Sequence, residues 1–179
     1  GTLVTKDSIV KNATDHTLYA QWTAKTDIQV TFDPNGGNTP TPASKKVTFA
    51  AAYGNLAAVS RTGYTFDGWW TAKTGGTQVT DTTVVTNASN HTLYARWKAN
   101  GYTVAFNSNG GGAPSMASKP VTFDAQYGTL ATVSRSGYTF QGWFTAKTGG
   151  TRVTDTSIVR TVGNHVLYAQ WTANSYRVT

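Results

Sequence analysis

The chain has 179 residues, a formal net charge of +7 and no cysteine. That allows one or two small domains and excludes disulfides, thiolate catalysis and zinc–thiolate sites. Only 13% of residues are charged and glutamate is absent, so long amphipathic helices and coiled coils lack their usual material. An aromatic content of 12%, with Trp 6, Tyr 9 and Phe 7, is too much anchoring surface for a disordered linker. This stretch holds no apolar run long enough to span a bilayer and no basic-then-apolar amino terminus of a secretion signal.

Self-comparison reveals an internal repeat. Shifted by 74 positions, KKVTFAAAYGNLAAVSRTGYTFDGWWTAKTGGTQVTDTTVV lies over KPVTFDAQYGTLATVSRSGYTFQGWFTAKTGGTRVTDTSIV, placing Phe32 on Phe106, Trp69 on Trp143 and Trp97 on Trp171. The opening segment matches the back third of the same unit, with Trp22 opposite Trp97, and the closing NSYRVT matches its beginning. The chain therefore divides into the carboxy-terminal part of a repeat (1–25), two complete repeats (26–99 and 100–174) and the first strand of a further repeat (175–179). A unit of this length exceeds the usual solenoid period and can bury a modest core, which predicts separately folded beads joined by short connections at 24–27 and 98–101.

Within one repeat, Ile28, Val30 and Phe32 alternate with Gln29 and Thr31 and run into Pro34, Asn35, Gly36 and Gly37, a half-buried strand closed by a turn. Val47 and Phe49 flank Thr48 in a second strand. Leu56, Ala57, Ala58 and Val59 follow Asn55, which predicts one or two helical turns over 55–60 before Gly63. Strict alternation then puts Tyr64, Phe66 and Gly68 on one face of a strand and Thr65, Asp67 and Trp69 on the other, with Gly68 and Gly142 as candidate bulges. A short strand in TQVT and a closing strand in HTLYARW, with Leu93, Ala95 and Trp97 on one face, complete the unit. The expected core anchors are Phe32, Phe49, Tyr64, Phe66, Trp69, Leu93 and Trp97. The fold class is α+β, mostly β, of the grasp type or a small sandwich.

VTFDPNGG, YG, RTGYTFDGWWT and TLYARW, in that order and spacing, resemble the Listeria–Bacteroides repeat, the B-repeat of internalin-type bacterial surface proteins. The resemblance covers the whole chain. It implies tandem β-grasp (ubiquitin/SUMO-like) modules in extracellular proteins attached to the bacterial cell wall, with no enzymatic activity, no cofactor and motif residues that are structural. A grasp sheet sets its first and last strands side by side and parallel. Residues 16–22 would then leave an open edge that residues 176–179 of another molecule could fill, giving head-to-tail self-association.

Candidate chemistry is sparse. His16, His91 and His165 are three copies of one position with no second histidine in the repeat, which favours a strand-entry role over a metal site. Asp67 is replaced by Gln141 in the second repeat, so no carboxylate pair for glycoside hydrolysis recurs. Ser60 and Ser134 lack a nucleophile elbow, and the paired glycines lack the ending of a phosphate loop. A Lys–Asn isopeptide bond needs a neighbouring buried carboxylate that the repeats do not preserve. No catalytic, cofactor or metal residue is assigned.

Positive charge is spread evenly along the chain, and the repeated basic positions are Lys45, Arg61 and Lys73 with Lys119, Arg135 and Lys147. This fits weak attraction to wall or host-surface polysaccharide or a host protein more than to nucleic acid, and membrane insertion is not expected. The leading expectation is a non-catalytic spacer or stalk of a surface protein. The alternative is a carbohydrate- or protein-binding module that uses Arg61, Trp70 and Lys73, or Arg135, Phe144 and Lys147.

Overall fold

The computed structural model describes residues 1–178. Ten strands follow in chain order: β1 Ile28–Asp33, β2 Ser44–Val47, β3 Tyr64–Trp70, β4 Gln78–Val79, β5 His91–Ala99, β6 Gly101–Asn107, β7 Ser118–Thr122, β8 Tyr138–Phe144, β9 Arg152–Val153 and β10 His165–Ala173. They form two five-stranded mixed sheets, ordered β2-β1-β5-β3-β4 and β7-β6-β10-β8-β9. In each sheet the first and last strands of the unit are central and parallel, with Phe32 level with Leu93 and Phe106 level with Leu167. All other pairings are antiparallel.

The expected alternation holds in β1: Ile28, Val30 and Phe32 are buried. With Val47, Trp69, Val79, Leu93 and Ala95 they form one core, closed over by Tyr53, Ala57 and Val85 from the connections. The second sheet has its own core, built from the equivalent positions around Val104, Phe106, Trp143 and Leu167. Trp69 and Trp143 are each 2% exposed and lie 4.8 Å, centroid to centroid, from Phe32 and Phe106.

Three sequence expectations are corrected. The described residues contain no helix, so the α component is absent and the fold is all-sheet. The segment 55–60 runs extended because long-range partners take its backbone groups. Ala58 and Thr41 exchange N–H···O=C bonds at 2.9 Å, the Trp69 indole donates to the Ala57 carbonyl at 2.9 Å, and Lys45 Nζ donates to the carbonyls of Tyr53 at 2.6 Å and Asn55 at 2.8 Å. A helix would have to withdraw these groups into local bonds.

Phe66 and Trp69 share a face, against the strict alternation expected, and their centroids lie 5.5 Å apart. The register of β3 on β5 jumps between Phe66 and Gly68, and a bulge of one extra residue flips every following side chain. The bulge itself was legible from Gly68.

Among the expected anchors, Phe32, Trp69 and Leu93 are buried, while Tyr64 and Trp97 are half-buried and Phe49 and Phe66 are each 37% exposed. Phe49 lies just past β2, where Ala50 turns the chain with φ of 62°, so it leaves the sheet instead of continuing the strand.

Only Asn100 separates β5 from β6, so the connection expected at 98–101 is almost entirely strand. Residues 1–27 carry no strand, and Leu18, Tyr19 and Trp22 within them are largely exposed. Residues 175–178 likewise carry no strand, and Thr179, the last residue of the expected further strand, lies outside the described residues.

Candidate functional surface

The face of each sheet opposite its core displays part of the nominated set, Trp70 and Lys73 in the first repeat and Phe144 in the second. Trp70 stands directly across from Tyr94 in the β3–β5 register, as Phe144 does from Tyr168. Trp70 is half-buried, because the Arg96 guanidinium lies 4.0 Å from its ring centroid and its indole donates to the Asp67 carbonyl at 3.3 Å. Lys73 reaches this face from the loop after β3, pairing with Asp33 at 3.3 Å and standing 5.5 Å from the Tyr94 centroid.

Arg61 joins neither Trp70 nor Lys73 in a contact. Its guanidinium stacks on Tyr64 at 3.9 Å and faces Gly36, and Arg135 stacks on Tyr138 at 3.7 Å and faces Gly110. The nominated residues thus split into an aromatic ledge (Trp70, Tyr94 and Lys73, with Phe144, Tyr168 and Lys147 at the equivalent places) and a separate Arg–Tyr stack at the far end of β3.

Arg96 was missed from the sequence, and its role is legible from its replacement. It donates to the carbonyls of Ala72 and Gly75, and Gln170 donates to Ala146 at 3.1 Å and Gly149 at 2.6 Å. A neutral side chain does the same work in the second repeat. What the position requires is therefore a pair of N–H donors that tie the loop after β3 to the sheet, and charge is incidental.

Other recurring polar side chains, Lys45, His91 and His165 among them, are also engaged locally. Lys119 copies Lys45, donating to the carbonyls of Tyr127 at 2.6 Å and Thr129 at 2.9 Å. His91 Nδ1 faces the Ser89 carbonyl at 2.8 Å, and its Nε2 lies 2.7 Å from the Tyr53 hydroxyl. His165 repeats this with Gly163 and Tyr127. A carbonyl on Nδ1 calls for a proton there, which in the neutral ring leaves Nε2 to accept from the phenol, and the two bonds fix the imidazole's orientation at the start of the closing strand. Burial pushes both phenols above their ordinary 10.0, and at Tyr127 a hydrogen bond from Thr161 partly offsets it.

Two like sheets in one chain, each with an aromatic core and its repeated polar groups turned to internal bonds, define a tandem-repeat β module. The profile of the Listeria-Bacteroides repeat domain matches residues 29–96 and again 102–170, and the chain belongs to that family. It is 39% identical over 117 residues to internalin H of Listeria monocytogenes serovar 1/2a, covering 65% of this chain and 21% of that protein. It is also 32% identical to two proteins of Evansella cellulosilytica named as membrane proteins, the second as Gly-rich, over 91% and 92% of this chain and 24% and 20% of theirs. The chain thus spans about a fifth to a quarter of the length of the curated relatives it matches.

Proposed function

We propose that the chain is a non-catalytic spacer segment of a bacterial cell-surface protein, holding another domain of that protein away from the wall. Each repeat is read as a β-grasp sheet, with β1 and β5 parallel at its centre, in which an extended crossing stands where the helix would lie. One observation carries this reading: the histidines and most basic side chains that recur in both repeats are bonded within their own repeat instead of converging on a cleft. The relationship to internalin H supports the surface location.

A surface display experiment tests it. On wall-bearing cells, a domain carried by this segment should become more accessible to a large antibody as complete repeats are added and less so as they are removed. Accessibility independent of repeat number refutes the spacer role.

The ledge of Trp70, Tyr94 and Lys73 favours a second reading, weak adhesion to wall or host-surface polysaccharide, because flat rings beside a cation suit the apolar face of a sugar. Retention on a glycan or heparin column that disappears in Trp70→Ala, with the melting temperature unchanged, would establish it. Absence of retention would remove it.

A further inference from the structure

The two repeats touch through a small, specific contact. Phe123 is 8% exposed, whereas Phe49, its counterpart in the first repeat, is 37% exposed. The difference comes from the neighbouring repeat. The Phe123 ring lies flat against Gly63, where any Cβ would overlap it, and meets Tyr64 edge-on at 5.7 Å. The Tyr64 hydroxyl donates to Asp124 Oδ2 at 2.5 Å, and Arg160 pairs with the same carboxylate. Asn100 bridges the backbones, donating its N–H to the Gly63 carbonyl at 3.0 Å and accepting from the Phe123 N–H at 2.9 Å.

The second repeat presents the same edge with the aromatic place open. Gly137 has the same φ as Gly63, +80°, and nothing lies within 4 Å of where its Cβ would be. Asn174 donates to the Gly137 carbonyl at 2.9 Å, and Thr139 donates to the Asn174 side chain at 2.7 Å, just as Thr65 does to Asn100 at 2.6 Å. Tyr176 stands 3.4 Å from Asn174 Nδ2, as Tyr102 does from Asn100. At the other end, the Phe49 N–H already donates to the Lys25 carbonyl at 2.8 Å, the bond that Phe123 makes to Asn100.

We propose that the Gly–Tyr edge of a repeat is a docking surface for the repeat that follows it, and that Gly137–Tyr138 takes the aromatic turn of a further repeat of this type. The occupant is set by continuity with the contact inside the chain: the glycine leaves room for a ring, the tyrosine gives that ring an edge, and the preceding asparagine fixes the register. An aspartate after the aromatic, as at Asp124, adds the bond to the tyrosine hydroxyl, whereas an alanine, as at Ala50, does not. Junctions are therefore graded by that one residue. The array is a rod with a fixed turn at each junction instead of loosely strung beads, whether or not it serves as a stalk.

The two glycines give a matched test. Asparagine tolerates a positive φ better than most residues, so Gly63→Asn and Gly137→Asn carry the same backbone strain and differ only in the ring opposite. In the present chain, Gly63→Asn should lower hydrogen-exchange protection of the Phe123 and Asn100 amides by at least about tenfold and broaden the small-angle scattering distance distribution. Gly137→Asn should change neither. Asp124→Ala, whose backbone φ of 65° Ala50 matches at 62°, should move both readouts in the Gly63→Asn direction by a smaller amount. In a chain extended after Asn174 by another copy of residues 101–174, Gly137→Asn should loosen the new junction as Gly63→Asn loosens the old one. Equal behaviour of the two variants in the present chain, or an added copy whose Phe123 amide is no better protected than that of Phe49, would overturn the proposal.

Discussion

Replacing Trp69 by phenylalanine tests whether one indole pins the extended crossing over the first sheet. Trp69 is 2% exposed, packs against Phe32 and Phe66, and donates to the carbonyl of Ala57, itself 5% exposed. The smaller ring keeps part of the stacking but leaves the Ala57 carbonyl without that donor, at a cost of about 1–3 kcal/mol. The volume of the lost ring adds about 1–2 kcal/mol, a fraction of the cost of truncating a buried aromatic to alanine. A total near 3 kcal/mol lowers the melting temperature of a unit this size by roughly 12–24 °C. Calorimetry gives the magnitude, and hydrogen exchange gives the location: the amides of Thr41 and Ala58, bonded to each other's carbonyls, should lose protection first. Trp143→Phe should behave alike, since its indole donates to Ala131 at 2.8 Å. A loss below about 1 kcal/mol with Thr41 and Ala58 still protected would refute the reasoning.

Phe123→Ala should cost about 2–3 kcal/mol more than Phe49→Ala in denaturant unfolding, because the neighbouring repeat covers about a further third of the ring and adds an edge-on aromatic partner. Equal losses would mean that the contact contributes nothing. Arg96→Gln should stay within about 1 kcal/mol of the parent, losing only the stack on Trp70, whereas Arg96→Ala also releases the loop and should cost more. A Gln variant as damaged as the Ala variant would show that the charge matters after all. The raised phenol pKa values fix a sign for alkaline pH. The unfolded chain ionises these tyrosines at about 10.0 while the folded chain holds them neutral, so the stability they contribute is whole below 10.0 and is lost as pH climbs through the raised values. The double variant Tyr53→Phe, Tyr127→Phe should flatten that decline in the urea midpoint; an unchanged decline places its origin elsewhere.

The repeat, the alternation of β1 and the bulge at Gly68 were legible because each depends on a local pattern that the second copy repeats. The side chains after the bulge were not, since one inserted residue inverts every later assignment, and Phe66 and Trp69 are two sides of that inversion. The run 55–60 reads as helical by propensity, yet its carbonyls are bonded to Lys45, Trp69 and Thr41, partners that local sequence cannot reveal. Of the nominated ligand residues, Trp70 and Lys73 do share a face, while Arg61 belongs with Tyr64 at the junction edge. The junction itself left a trace in the sequence: Gly63 and Asn100, neither of them part of either core, recur as Gly137 and Asn174.

The central claim is that Trp69 and Trp143, with the Phe32 and Phe106 rings they pack on, are interior packing for their sheets. Oxidative labelling of the intact chain, with the modification rate of each tryptophan read by mass spectrometry, tests it directly. Trp22, 91% exposed, should react first, the half-buried Trp70, Trp97 and Trp171 more slowly, and Trp69 and Trp143, each 2% exposed, last. If Trp69 and Trp143 were labelled as fast as Trp22, these rings would face solvent and the account would be wrong.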